Sequence, residues 1–175
     1  MKKRLLSLIL LATLLVGMMC PIGAANDTGE KAEASQGAIV YIPLDDRPLN
    51  LRRVQQLADS LDLQLILPDT DLYATKLDGQ EKNANGTQYG DRGALLAWLM
   101  DEAEHYDTFL ISLDQLLSGG LMNSRCMLEM ENVTLPNGRV MTEYDIIDYI
   151  GELANTKHVY VIDSVLRLAM SSGFG

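Results

Sequence analysis

The chain has 175 residues and carries 24 acidic against 14 basic side chains, a formal net charge of −10 with its two histidines neutral. An acidic surplus repels a polyanion, and no basic run interleaved with aromatic residues occurs, so nucleic acid is not an expected partner. Charge of this sign suits a soluble protein that handles neutral or cationic ligands, and it does not select among them.

Residues 1–25 have the layout of a secretory signal, with Lys2, Lys3 and Arg4 ahead of an apolar stretch from Leu5 to Met19 and the small-residue site Gly23-Ala24-Ala25 behind it. Gly17 and Pro21 interrupt the apolar run, which disfavours a spanning helix. Met19 stands before Cys20 where a bacterial lipoprotein signal wants a small residue. Cleavage after Ala25 removes three basic groups and no acidic ones, takes the net charge to about −13, and leaves an extracytoplasmic chain with no stable membrane span. Cys126 is then the one remaining cysteine, so no intramolecular disulfide is available. It reads as a small, partly buried residue, and His105 and His158 are too separated to complete a zinc site with it.

Residues 26–37 are small and polar and read as a flexible leader. A first strand follows at 38–44, then a helix in which Val54, Leu57, Ala58 and Leu61 recur at i, i+3, i+4 and i+7 and are expected to lie on the sheet. A second short strand spans 63–67. The stretch 68–92 reads as a long loop with an Asn83-Ala84-Asn85-Gly86 turn, and loops of that length inside a compact domain are functional or mobile. A helix over 94–104 sets Leu95, Trp98 and Leu99 on its buried face, and a third strand spans 109–113. Pro136-Asn137-Gly138 divides two short segments into a hairpin, placed to cover the mouth of a site. Thr142-Glu143-Tyr144-Asp145 resembles a capping box ahead of a third helix with Ile146, Ile147, Ile150, Leu153 and Ala154 on its apolar side. The fourth strand spans 158–162. Strands alternating with helices predict an α/β fold with a parallel sheet and right-handed crossovers, open or closed into a barrel.

Polar residues gather where these strands end. The first strand runs into Asp45-Asp46-Arg47-Pro48-Leu49-Asn50, the third into Asp114-Gln115-Leu116-Leu117-Ser118-Gly119-Gly120, and the fourth into Asp163-Ser164. Carboxyl ends of parallel strands are where ligands and catalytic groups collect. Asp45, Asp46 and Asp114 are therefore the candidate acid/base groups, and Arg47 is suited to gripping an oxyanion or carboxylate. The competing structural reading makes Asp45 or Asp46 a cap for loop amides that Arg47 ties down. Adjacent strand residues face opposite ways, so both carboxylates need not serve one site. Asn50, Asp91, Arg92, Gln115, Gly119, Gly120, Arg125 and Arg167 complete the ligand-binding candidates, the glycines because they permit close backbone approach. A salt bridge is the equal alternative for Asp91, Arg92 and Arg167.

Neither a dinucleotide glycine fingerprint nor a phosphate loop is present, and no serine sits in a nucleophile elbow. Asp69-Thr70-Asp71 has the outline of a metal motif but reads better as a solvated loop. No metal set is assigned and no cofactor is specified.

Three segments together carry a resemblance: Ile42 to Asn50, then Ser112 to Leu121 with Ser124-Arg125, and finally Ser164 to Ala169. They resemble the bacterial domain-of-unknown-function family numbered 4127. The resemblance implies a longer chain than this one, in keeping with the stop at 171–175 soon after a strand. On that expectation residues 38–175 are the N-terminal part of an α/β domain, with an apolar sheet edge exposed near Val159 to Leu168. Gln115 and Ser118 depart from the methionine-like and tyrosine-like residues that the resemblance implies at those positions. The family name assigns no activity. Two functions are carried forward: part of a secreted hydrolase acting on carbohydrate or another polar substrate, and a non-catalytic extracytoplasmic protein that holds a polar ligand.

Overall fold

The structure, a computed structural model, describes residues 37–125 and 131–164. Apolar strands and helices alternate as β1 (Ala38–Ile42), α1 (Arg52–Ser60), β2 (Gln64–Ile66), a 3₁₀ turn (Thr70–Leu72), α2 (Arg92–Glu102), β3 (Thr108–Ser112), α3 (Leu113–Ser118) and α4 (Leu121–Ser124). The hairpin strands β4 (Val133–Thr134) and β5 (Val140–Met141), helix α5 (Glu143–Ala154) and strand β6 (His158–Ile162) follow. The four long-sheet strands are all parallel in the order β2-β1-β3-β6, an open sheet, while β4 and β5 pair antiparallel as a separate ribbon.

The strand alternation decides which face carries the core. Val40 and Ile42 from β1 and Phe109 and Ile111 from β3 point to one side, where Leu95, Leu96 and Leu99 of α2 and Ile146, Ile150 and Leu153 of α5 bury them. Trp98 packs against this cluster, as its spacing predicts. Val133, Leu135 and Met141 bring the hairpin into the same core, and Gly93 permits the approach, because a Cβ there would fall 2.1 Å from the Thr134 carbonyl oxygen. The capping box is present: Thr142 Oγ1 accepts from the Asp145 N–H and Asp145 Oδ2 accepts from the Thr142 N–H.

The right-handed crossover rule puts α1 on the opposite face, since β1 to β2 runs one way along the sheet and β2 to β3 the other. That face is thinly covered. Ala58 is the buried residue of α1, while Leu57 is 59% and Leu61 68% exposed. The expected stripe therefore exists as a face, but the sheet takes up only part of it. On β6, Tyr160, Val161 and Ile162 are 43–62% exposed, so the described part of the anticipated edge, up to Ile162, is open. Leu166 and Leu168 lie outside the described residues, as do Cys126, Arg167 and residues 1–36 with their leader. Among the described residues no helix is long and apolar enough to cross a membrane.

Candidate functional site

Strand order reverses between β1 and β3, since the chain leaves β1 for β2 on one side and returns to β3 on the other. In open α/β sheets the crevice outside the carboxyl ends at such a reversal is where ligands bind. The register brings the two strand ends level: Ile42 pairs with Ile111, so Asp45 and Asp114 each stand three residues beyond a paired position on the same edge.

The β1 end folds into a tight turn held by Asp45. Its Oδ1 accepts from the Arg47 backbone N–H at 3.1 Å and from Asn50 Nδ2 at 2.7 Å, and its Oδ2 accepts from Arg47 Nε at 2.8 Å, with Arg47 Nη2 at 2.6 Å. The first bond is an Asx turn, which is why Asp suits a place where the chain must leave the sheet. Asp45 is 3% exposed. Burial works to raise its pKa, but hydrogen bonds from the Arg47 and Asn50 side chains and the Arg47 amide, with the Arg47 charge, outweigh it and hold the carboxyl below the ordinary aspartate value. Tyr41, on the opposite strand face from Val40 and Ile42, donates its hydroxyl to the Asn50 carbonyl oxygen at 2.5 Å. Burial, then the neighbouring Asp45 and Tyr73, push its pKa up to about 12.

Asp46 has a different position. It lines a cleft of about 320 Å³ that Asp45 also borders, with Arg47, Pro48, Thr75, Leu77, Gln80 and Met122 as the other walls. Its one hydrogen bond among the described residues is a long 3.4 Å contact from the Thr75 backbone N–H. The Arg47 side chain is 59% exposed and still turns its guanidinium to Asp45. The carboxylate open to a ligand is therefore Asp46, with a half-exposed guanidinium beside it.

At the β3 end the polar residues enter short helices. Asp114 is 7% exposed in the first turn of α3, and its carboxylate makes no hydrogen bond among the described residues. Gln115 is wholly buried, and neither amide atom has a partner among the described residues. Gly119 closes α3 in the left-handed region at φ 77°. Gly120 adopts φ 129°, and a Cβ added there would lie 3.1 Å from Thr75 Oγ1 and 3.2 Å from Gln115 Oε1.

The remaining candidates fall elsewhere. Asp91 caps α2, accepting from the Ala94 N–H at 3.0 Å. Arg92 Nη1 donates to the carbonyl oxygens of Leu117 at 2.6 Å and Glu131 at 3.1 Å, tying α2 to the end of α3 and to the strand entering the hairpin. Burial lowers the Arg92 pKa and the Glu131 charge opposes that shift. Asp91 and Arg92 line a second cleft of about 330 Å³ with Glu131 to Thr134, and the hairpin sits there rather than over the Asp46 cleft. Arg125 is an exposed residue after α4. Asp69 and Asp71 are exposed around the 3₁₀ turn, and no cluster of three or more metal-ligating side chains occurs among the described residues. Arg167 lies outside them.

Thr75, Gln80 and Met122 contribute to the cleft without having been singled out. Two of them belong to the 68–92 loop, whose order comes from Asn83: its Nδ2 donates to the carbonyl oxygens of Ala74 at 2.7 Å and Tyr89 at 3.0 Å. The Asn-Gly turn was the available signal that this loop has a fixed shape.

An open parallel α/β sheet with a cleft at its strand-order reversal is the doubly wound class of architecture. Within that class the chain belongs to the family described as protein of unknown function DUF4127, whose family model matches residues 39–173. No curated protein and no solved structure matches the chain.

Proposed function

We propose that this is an exported protein whose switch-point cleft holds a polar, hydroxyl-bearing small molecule of carbohydrate type, with Asp46 as its charged contact. One observation carries the reading: of the two adjacent carboxylates that line the cleft, Asp45 is consumed by the turn while Asp46 has, among the described residues, a single long contact. A carboxylate with open acceptor sites suits the hydroxyl or amine donors of such a ligand. Arg47 is near enough to grip an acidic substituent. Export is supported by the basic, apolar and small-residue succession over residues 1–25.

A hydrolase is the second reading. Asp114 follows the neighbouring strand at the matching register and its carboxylate is uncommitted among the described residues, and glycoside hydrolysis works with two carboxylates about 5–9.5 Å apart. Burial and its absence from the cleft wall place Asp114 second to Asp46 as a ligand contact.

The test is a thermal-shift and calorimetric screen of the purified protein against neutral, amino and acidic sugars. A ligand-induced shift that Asp46→Asn abolishes supports the reading. A shift that survives the substitution, or none with any compound, rejects it. Release of a sugar from an aryl glycoside, lost in both Asp46→Asn and Asp114→Asn, would promote the hydrolase reading over simple binding.

A further inference from the structure

Among the described residues nothing pairs with the outer side of β6, and all five of its residues keep register with β3 without a bulge. Such an edge is a template for a further strand, and proteins blunt it with charge, proline or a bulge. His158-Val159-Tyr160-Val161-Ile162 contains no lysine, acidic residue or proline. Tyr160 is 62%, Val161 46% and Ile162 43% exposed.

The His158 N–H donates to the Asp107 carbonyl oxygen at 2.8 Å, so His158, Tyr160 and Ile162 turn their backbone groups toward β3. Val159 and Val161 turn theirs outward. Their side chains share the core face with Phe109 and Ile111, while Tyr160 and Ile162 lie on the opposite face. The flanks of the strand are charged and opposite, with Lys157 before it and Asp163 after it. Lys157 Nζ already holds Asp107 at 2.6 Å, and its remaining donors can serve a second carboxylate.

We propose that β6 pairs antiparallel with β6 of a second copy of this chain, about a two-fold axis at Tyr160. A two-fold patch must complement itself, and charge selects both the partner and the register. With the axis at Tyr160, Lys157 stands opposite the partner's Asp163, and symmetry repeats that pair. Val159 stands opposite the partner's Val161, and because both face outward they exchange N–H···O bonds in each direction. The two copies of Tyr160 then form a close pair on the axis. An axis at Val159 sets Lys157 against the partner's Val161 instead, and an axis at Val161 sets Asp163 against the partner's Val159. The dimer joins two four-stranded sheets into one, with the two Asp46 clefts at opposite ends.

Sedimentation velocity of the purified protein, from micromolar to millimolar concentration at neutral pH, tests this. The wild type is expected to dimerise. Lys157→Glu and Asp163→Lys each set like charges opposite one another twice, and each should weaken dimerisation at least about tenfold. An equal mixture of these two variants should recover the dimer, because each chain then meets the opposite charge in the other. Tyr160→Lys places like charges on the axis, and it should give a monomer with the circular dichroism of the wild type. That variant decides the question if Lys157→Glu fails to fold. A wild type that stays monomeric, or that forms aggregates of no fixed size, overturns the proposal. A dimer untouched by these substitutions shows that the copies meet elsewhere and overturns it too. So does a mixture of the two charge variants that recovers nothing.

Discussion

The two strand ends at the switch point begin level and finish differently. Three residues past the paired Ile42 and Ile111, β1 presents Asp45 and β3 presents Asp114. Asp45 accepts four contacts from Arg47 and Asn50 and closes its turn. The β3 end instead buries Asp114 and Gln115 in a six-residue helix and leaves the amide of Gln115 and the Ser112 hydroxyl without partners among the described residues. One end is a finished structural motif with a spare carboxylate, Asp46, on the cleft that both aspartates line. The other holds polar atoms that the fold itself does not satisfy. On the proposed function, rigidity falls to Asp45 and ligand contact to its neighbour Asp46, so that the site would be held firmly by groups that do not themselves touch the ligand.

The largest test of this contrast is Gly90→Ala. Its Cβ would stand 2.1 Å from Gln115 Nε2 and 2.4 Å from the Leu72 carbonyl oxygen, and the second neighbour is backbone that cannot swing aside. The expected loss is about 3 kcal/mol, read as a fall in melting temperature of about 10 °C. A neutral outcome would mean that the β3 end is loosely packed and its unpartnered atoms are free to find water.

Acid titration of stability is next. The folded-state pKa of Asp45 is depressed, so its contribution is complete above the unfolded carboxylate value near 3.9 and disappears as pH falls through the folded value. Asp45→Asn should flatten the acid limb of a denaturation-versus-pH curve, and an unchanged limb would remove Asp45 from its structural role. At the alkaline end the sign reverses. Tyr41 is raised from 10.0 to about 12, so stability should decline between pH 10 and 12 as the unfolded phenol ionises first. Tyr41→Phe should remove that slope while losing the bond to Asn50, at a cost of about 1 kcal/mol at neutral pH. The smallest effect is expected for Asp46→Asn, whose single 3.4 Å contact predicts a melting temperature within about 1–2 °C of the wild type.

Much of this arrangement was readable in the chain. The four strands were anticipated within two residues, and His158–Ile162 at its observed bounds, because short apolar runs between turn signals have few alternatives in an α/β pattern. The capping box of α5 was legible because it is local. Helices α3 and α4 were not anticipated: with six and four residues they are too short to display a period, and their polar residues looked like loop. Leu57 and Leu61 show a second limit, since spacing establishes that residues share a face and says nothing about how far that face is covered. The strand-end carboxylates were located from sequence, but their division of labour was not. Whether Asp45 or Asp46 turns inward depends on the hydrogen bonds of Arg47 and Asn50, and Thr75 comes within reach of Asp46 only when the 68–92 loop folds back.

Thermal melts of Asp45→Asn and Asp46→Asn at neutral pH decide whether the turn depends on one of these adjacent aspartates and not on the other. The expected loss is about 5 °C for Asp45→Asn, from about 2 kcal/mol of charge-assisted bonding, and almost none for Asp46→Asn. Equal losses, or a larger one for Asp46→Asn, would contradict it.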